Sequence, residues 1–158
     1  MIKLLMKPLL AALLFGAAAL WAADPAGFHV WKSSQIKGYE KTLSSKLDAQ
    51  KSAAETLVTV GNVTYLVAHR EGSGLAEWHE KQADIMVIET GEVTMVYGGE
   101  IPDSKQTAPG EMRGTSIRGG SEVKLGPGDT LHIPAKVPHM MKIAPGKQIT
   151  YFVAKVNQ

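Results

Sequence analysis

The chain of 158 residues contains no cysteine. Disulfide frameworks, thiolate metal sites and thiol nucleophiles are therefore excluded. Serines are present, but no G-x-S-x-G elbow frames any of them. The glycine pairs Gly98-Gly99 and Gly119-Gly120 stand outside any G-x-G-x-x-G or Walker arrangement, so nothing here cradles a nucleotide phosphate. Charge of one sign is scarce as well. The formal net charge of +2 comes from 17 basic and 15 acidic residues, and Lys3 and Lys7 near the N-terminus account for the whole excess. With those two set aside the chain is neutral, and no basic cluster with interleaved aromatics remains to hold nucleic acid. Beyond Ala23 there is neither an internal repeat nor a low-complexity segment.

Residues 1–23 have the pattern of a secretory signal peptide. Lys3 and Lys7 form a positive start, Pro8 to Leu20 is apolar and alanine-rich, and Leu20-Trp21-Ala22 or the adjacent Ala23 offers a small-residue cleavage site. The apolar run is short for a membrane span and no stop-transfer pattern follows it. The expectation is an exported protein, periplasmic or secreted, with no stable membrane anchor after cleavage.

Residues 24–55 form an N-terminal extension. Asp24-Pro25-Ala26-Gly27 is a breaker, Phe28 to Trp31 a short extended piece, and Ser33 or Ser34 a cap for a helix. Ile36, Tyr39, Leu43 and Leu47 recur at helical spacing and form one apolar stripe, which predicts a helix packed against the outside of the main fold.

Residues 56–158 read as many short strands with little helix. Thr56–Val60 and Val63–Ala68 flank the two-residue turn Gly61-Asn62, and Ile85–Ile88 and Val93–Tyr97 flank another turn through Thr90-Gly91. Ser121–Leu125, Thr130–Ile133, His139–Ile143 and Gln148–Ala154 are further strand candidates. The pattern predicts a mainly β, antiparallel sandwich or barrel with an N-terminal helix. Gly98 to Gly120, rich in glycine and proline, resists strand assignment. Such a long loop in a compact domain is usually functional or mobile: either Gly110 to Thr115, with Arg113, lies near the mouth of the barrel and helps choose the ligand, or the segment is a surface excursion with a short strand near Ser116 to Arg118.

The chemistry concentrates in Glu77-Trp78-His79-Glu80-Lys81-Gln82-Ala83-Asp84. On a strand Glu77 and His79 leave one face while Trp78 points away, and a turn or bulge brings Asp84 back beside His79. An acid, an imidazole and a second acid on one face suit a first-row divalent metal. Later, Gly126-Pro127-Gly128-Asp129 forms a turn, and Pro134 to Pro138 delivers His139 at the start of a strand. The candidate metal set is Glu77, His79, Asp84 and His139, with Asp84 either ligating or orienting His79 from behind. Glu80 is the fallback acid but faces away. His29, His69 and His132 are read as structural, with lining of the cavity the alternative for His69 and His132.

These two runs resemble the paired motifs of the cupin superfamily, one reading roughly G-x5-H-x-H-x3or4-E-x6-G and the other G-x5-P-x-G-x2-H-x3-N. His79, Asp84 and Gly91 match the first; Gly128, Pro134 and His139 match the second. Glu77 stands where the first histidine is expected, Asp84 replaces a glutamate, Lys136 takes the second motif's second glycine position and Ile143 its asparagine. The resemblance, covering roughly Val58 to Val156, implies a jelly-roll β-barrel holding a divalent ion, Fe(II) or Mn(II) first and Zn(II) or Ni(II) as alternatives, and a small-molecule ligand, often in a homodimer. Two histidines and one carboxylate with open positions are associated with non-haem iron oxygen chemistry. Dioxygenase-like oxidation is thus the first expectation and metal-assisted isomerase or lyase chemistry the second, with Glu77 or Tyr151 moving a proton. Arg113 and Tyr151 are the candidate ligand-binding residues. The rival expectation is a non-catalytic barrel that binds or senses a small ligand.

Overall fold

The computed structural model describes residues 24–158; the expected signal peptide lies outside the described residues. After a coil through Trp31 the chain forms helix α1 (Ser33–Leu43), continued by a 3-10 turn (Ser44–Lys46), and then eleven strands. The extended piece at Phe28 to Trp31 forms no strand. The helix cap also differs from expectation: Lys32 occupies the cap position, and its N–H donates to Gln35 Oε1 at 2.8 Å.

The strands are β1 (Ser52–Val60), β2 (Val63–Arg70), β3 (Ala76–His79), β4 (Gln82–Gly91), β5 (Val93–Tyr97), β6 (Lys105–Ala108), β7 (Glu111–Gly114), β8 (Ser121–Leu125), β9 (Thr130–Ile133), β10 (His139–Lys142) and β11 (Ile149–Asn157). They build two antiparallel sheets, ordered β1-β2-β11-β4-β9 and β6-β7-β3-β10-β5-β8. The first strand begins at Ser52, four residues before the boundary expected at Thr56. The Gly61-Asn62 hairpin is present, with Val60 opposite Val63.

The turn at Gly91 takes the chain from one sheet to the other. Gly91 has φ +75°, and a Cβ there would lie 1.9 Å from the Gln148 carbonyl oxygen, so only glycine fits. The short link Glu80-Lys81 likewise carries the chain from β3 in one sheet to β4 in the other. Asp84 therefore approaches His79 from the facing sheet.

Alternation divides each strand between an inner and an outer face. On β11, Ile149, Tyr151 and Val153 join the inner cluster with Met86, Ile88, Met95 and Met141. Phe152 points outward and, with Val67, receives the helix stripe through buried Ile36 and Leu43 and half-buried Tyr39. Each fully buried Ile or Val of these clusters contributes about 1.5–3 kcal/mol. The helix thus packs outside the barrel, as its stripe predicts.

Within the segment expected to be a loop, two short strands form by pairing. β6 and β7 form a hairpin, β7 pairs with β3, and Glu100 bridges Arg118. That pairing lays Glu111 to Gly114 along the strand that carries Glu77 and His79.

Candidate metal centre

Cross-strand register assembles the site. Residues directly opposite in an antiparallel pair present their side chains to the same face. Glu77 is opposite His139 on one side and Arg113 on the other; His79 is opposite Glu111; Asp84 is opposite Lys155. Since β3, β7 and β10 belong to one sheet and β4 and β11 to the other, these groups meet between the sheets.

Glu77, His79 and His139 each offer one ligand atom, and the three atoms lie within 4.8 Å of one another. Glu77 Oε2 is 3.6 Å from His79 Nε2 and 4.0 Å from His139 Nε2. Asp84 Oδ2 is 3.6 Å and 3.8 Å from the same two nitrogens. Two atoms that each sit about 2.1 Å from one ion are roughly 3–3.5 Å apart, so the observed spacings need little adjustment to share an ion.

The far sides of both rings fix their tautomers. His79 Nδ1 donates to Glu111 Oε2 at 2.7 Å, and His139 Nδ1 donates to the Val137 carbonyl at 3.0 Å. Each ring therefore turns Nε2 inward, and these two nitrogens are buried without a hydrogen-bond partner among the described residues. Unpaired buried polar atoms are costly and call for an explanation. Two imidazole nitrogens and a carboxylate, oriented from behind by a carboxylate and a carbonyl, are a donor set that fits a divalent first-row ion.

Asp84 is 1% exposed, and both its oxygens accept from Lys155 Nζ, at 3.1 and 3.0 Å. Lys155 also donates to Gln82 Oε1 at 3.0 Å. Asp84 thus stands beside the three-residue group with its charge already engaged. Glu80, as expected, is exposed. Trp78 faces outward and donates from Nε1 to the Lys136 carbonyl at 3.0 Å. His132 is exposed, exposed His29 stacks on Trp31, and buried His69 pairs with Thr150 on the outer face.

The charges shape one another. Burial raises the Glu77 carboxyl, but the His79 ring and the charges of Arg113 and His139 outweigh it and bring it from 4.5 to about 2. Burial lowers His79, and its carboxylate partners Asp84 and Glu77 outweigh that, taking it from 6.5 to about 9. Burial holds His139 below its ordinary value. Asp84 is held below the usual carboxylate range by His79 and Lys155, against the effect of its burial. Without an ion His79 therefore keeps its proton at neutral pH between two carboxylates, and an ion would take that proton's place.

A cavity of about 220 Å3 opens beside this cluster, lined by Glu77, Asp84, His139, Tyr151, Arg70 and Arg113 among others. Both candidate ligand-binding residues, Arg113 and Tyr151, therefore face it. Arg70 Nε donates to the Tyr151 hydroxyl at 3.0 Å, and Arg113 donates to Glu111 Oε2 at 3.1 Å. Burial raises the Tyr151 phenol, so it stays protonated and offers its O–H rather than serving as a base.

No protein-family model matches the sequence, and no curated protein does. Solved structures do. The TT1209 protein from Thermus thermophilus superimposes with a TM-score of 0.52 at 18% identity, over 74% of this chain and 92% of that one. An oxalate oxidase superimposes with a TM-score of 0.50 at 13% identity, over 70% of this chain and 53% of that one. This chain spans about half that enzyme's length. A sugar phosphate isomerase from a cupin superfamily, from Silicibacter pomeroyi, aligns with a TM-score of 0.48 at 16% identity, over 68% of this chain and 60% of that one. The chain has the cupin fold. At such identities the likeness is one of fold, and the chemistry rests on the residues described above.

Two departures from the cupin motifs acquire a structural account. Lys136, at the glycine position, keeps the glycine conformation with φ +67°. Its backbone does the work there: the N–H donates to the His79 carbonyl at 2.7 Å and the carbonyl accepts from Trp78, tying the second motif to β3. Ile143, at the asparagine position, is a core residue, and its N–H donates to Ser73 Oγ at 3.0 Å.

Sequence reasoning misses three groups. Arg70 is one of them, with its Nη2 3.6 Å from Glu77 Oε1. Lys155 follows Tyr151 and Val153 in the inward alternation of β11, a signal that could have been read. Glu111 lies in the segment expected near the mouth, but its place behind His79 depends on the β3–β7 pairing of a glycine- and proline-rich segment and has no local signal.

Proposed function

We propose that this cupin binds one divalent ion, Fe(II) or Mn(II), through Glu77, His79 and His139, and that it oxidises a small oxygen-bearing organic molecule in the adjoining cavity. The observation that carries the reading is the pair of buried Nε2 atoms turned toward Glu77, with no hydrogen-bond partner among the described residues. Bound iron or manganese would supply Lewis acidity and redox capacity there.

The protein's own groups have definable parts. Glu111 and the Val137 carbonyl hold the two imidazoles in the ligating tautomer. Lys155 neutralises Asp84, keeping a second carboxylate close to the cluster at low cost. Arg70 positions the Tyr151 hydroxyl, whose O–H is available to hold a ligand oxygen. The apolar cavity wall, including Leu66, Met86 and Val153, excludes water from the remainder. Export belongs to the same proposal and rests on the N-terminal pattern alone.

The test is oxygen uptake by protein loaded anaerobically with Fe(II), over a panel of small diketones, catechols and hydroxy acids. Uptake that requires both the iron and one panel compound, and is absent from His79→Ala and His139→Ala, supports the proposal. Saturable binding of a panel compound with no turnover would replace it with a ligand-binding barrel.

A further inference from the structure

The charged side chains around the site, its two imidazoles aside, balance one another. Three carboxylates, Glu77, Asp84 and Glu111, face three cations, Arg70, Arg113 and Lys155. A divalent ion held by neutral imidazoles and Glu77 adds two positive charges to a cluster whose members are largely buried. Uncompensated charge in such surroundings is expensive, so the loaded site favours a dianion over a monoanion or a neutral molecule.

The two guanidiniums indicate where such an anion would be gripped. Arg70 donates from Nε to Tyr151, and its Nη2 approaches Glu77 only to 3.6 Å, beyond hydrogen-bond range. Arg113 engages Glu111 and the Met112 carbonyl through Nη1, while its Nη2 also stops 3.6 Å from Glu77. Each guanidinium thus lines the cavity with an Nη2 that is only loosely paired with Glu77 and makes no hydrogen bond to a described residue. Guanidinium donors suit carboxylate oxygens, often two at a time.

Volume limits the size. A cavity of about 220 Å3 holds about seven water-sized groups. That matches the non-hydrogen atoms of a three- or four-carbon dicarboxylate.

We infer that the ligand of the metal-loaded site is a small dicarboxylate, one carboxylate toward the Glu77–His79–His139 cluster and the other held by Arg113 with Arg70. This rests on the metal reading above, and the test separates the two. Mn(II)-loaded protein is titrated by calorimetry with malonate, acetate, malonamide and inorganic phosphate, while the Mn(II) paramagnetic resonance spectrum reports ligand entry. Malonate is expected to bind at least tenfold more tightly than acetate, malonamide or phosphate and to alter the spectrum. Arg113→Gln loses at least tenfold in malonate affinity while still binding Mn(II), and Arg113→Lys recovers part of the loss. Malonate binding no tighter than acetate or malonamide, or weaker than phosphate, overturns the inference while Mn(II) uptake keeps the metal reading intact. Wild-type protein that takes up no Mn(II) overturns both. If Arg113→Gln does not fold, the four-ligand comparison on wild-type protein still decides.

Discussion

Replacing Lys155 with methionine keeps the length and apolar stem of the side chain and deletes its charge. Asp84, at 1% exposure, then loses the donor that contacts both of its oxygens at 3.0 and 3.1 Å. Breaking a buried pair by removing one partner costs about 3–5 kcal/mol. The His79 ring remains 3.6 Å from Asp84 Oδ2 and supplies part of the missing compensation, so the lower end, about 3 kcal/mol, applies to the metal-free protein. For a domain of this size 1 kcal/mol corresponds to about 4 °C, which puts the midpoint of metal-free Lys155→Met about 12 °C below wild type. A bound divalent ion stands next to the same carboxylate and replaces the lysine's charge. The loss should therefore shrink to a few degrees when Mn(II) is present, and Mn(II) should raise the midpoint of the variant more than that of wild type. Scanning calorimetry of wild type, Lys155→Met and Lys155→Arg, each with and without Mn(II), measures this, with Lys155→Arg staying near wild type. A metal-free Lys155→Met midpoint within about 2 °C of wild type, or equal Mn(II) shifts in the two proteins, would refute the reasoning.

Other outcomes follow from the same geometry. Apparent Mn(II) affinity should rise close to tenfold per pH unit from pH 6 and level off near His79's value of about 9, because binding displaces that proton; calorimetry at pH 7 in two buffers should count about one proton released. In the metal-free protein, stability from the raised His79 is fully present below 6.5 and lost as pH climbs through about 9. Stability from the depressed Glu77 is present above 4.5 and lost as pH falls toward about 2, and that from the depressed His139 is lost as pH falls below 6.5, so the thermal midpoint should peak near pH 6.5. Glu111→Ala should weaken metal binding about 10- to 100-fold in competition with a chromogenic chelator, and Glu111→Gln, which keeps an acceptor for His79 Nδ1, should lose less. Unchanged affinity in Glu111→Ala would remove its orienting role. Lys136→Gly should stabilise by about 0.5–1 kcal/mol, since relief of a left-handed backbone exceeds the added freedom of the unfolded chain. A lower melting midpoint would show that no strain resides there.

The fold was legible because its signals are local. Alternation and the Gly61-Asn62 turn marked the first hairpin, and the stripe from Ile36 to Leu43 marked a helix lying outside the sheets. Strand ends were less legible: β11 continues through Lys155 to Asn157, past the end expected at Ala154, because pairing with β2 and β4 carries the extended backbone onward. The convergence of Glu77, His79 and His139 could be anticipated from period-two spacing and the motif intervals. Their surroundings could not. Glu111 reaches His79 only through the β3–β7 register, and Lys155 meets Asp84 only through the β4–β11 register. Long-range pairing of this kind leaves no mark in a local stretch of sequence. The segment from Gly98 to Gly120 shows the cost most clearly, for its turn residues hid a hairpin edge that supplies both Glu111 and Arg113.

The central claim is that Glu77, His79 and His139 hold a metal ion. Mass-spectrometric metal analysis of the protein, purified without chelator or nickel resin, beside a His79→Ala/His139→Ala double variant, tests it most directly. Close to one equivalent of iron or manganese is expected in the wild-type protein and none in the folded double variant. Wild-type protein that carries no metal and takes up neither iron nor manganese when offered them would contradict it.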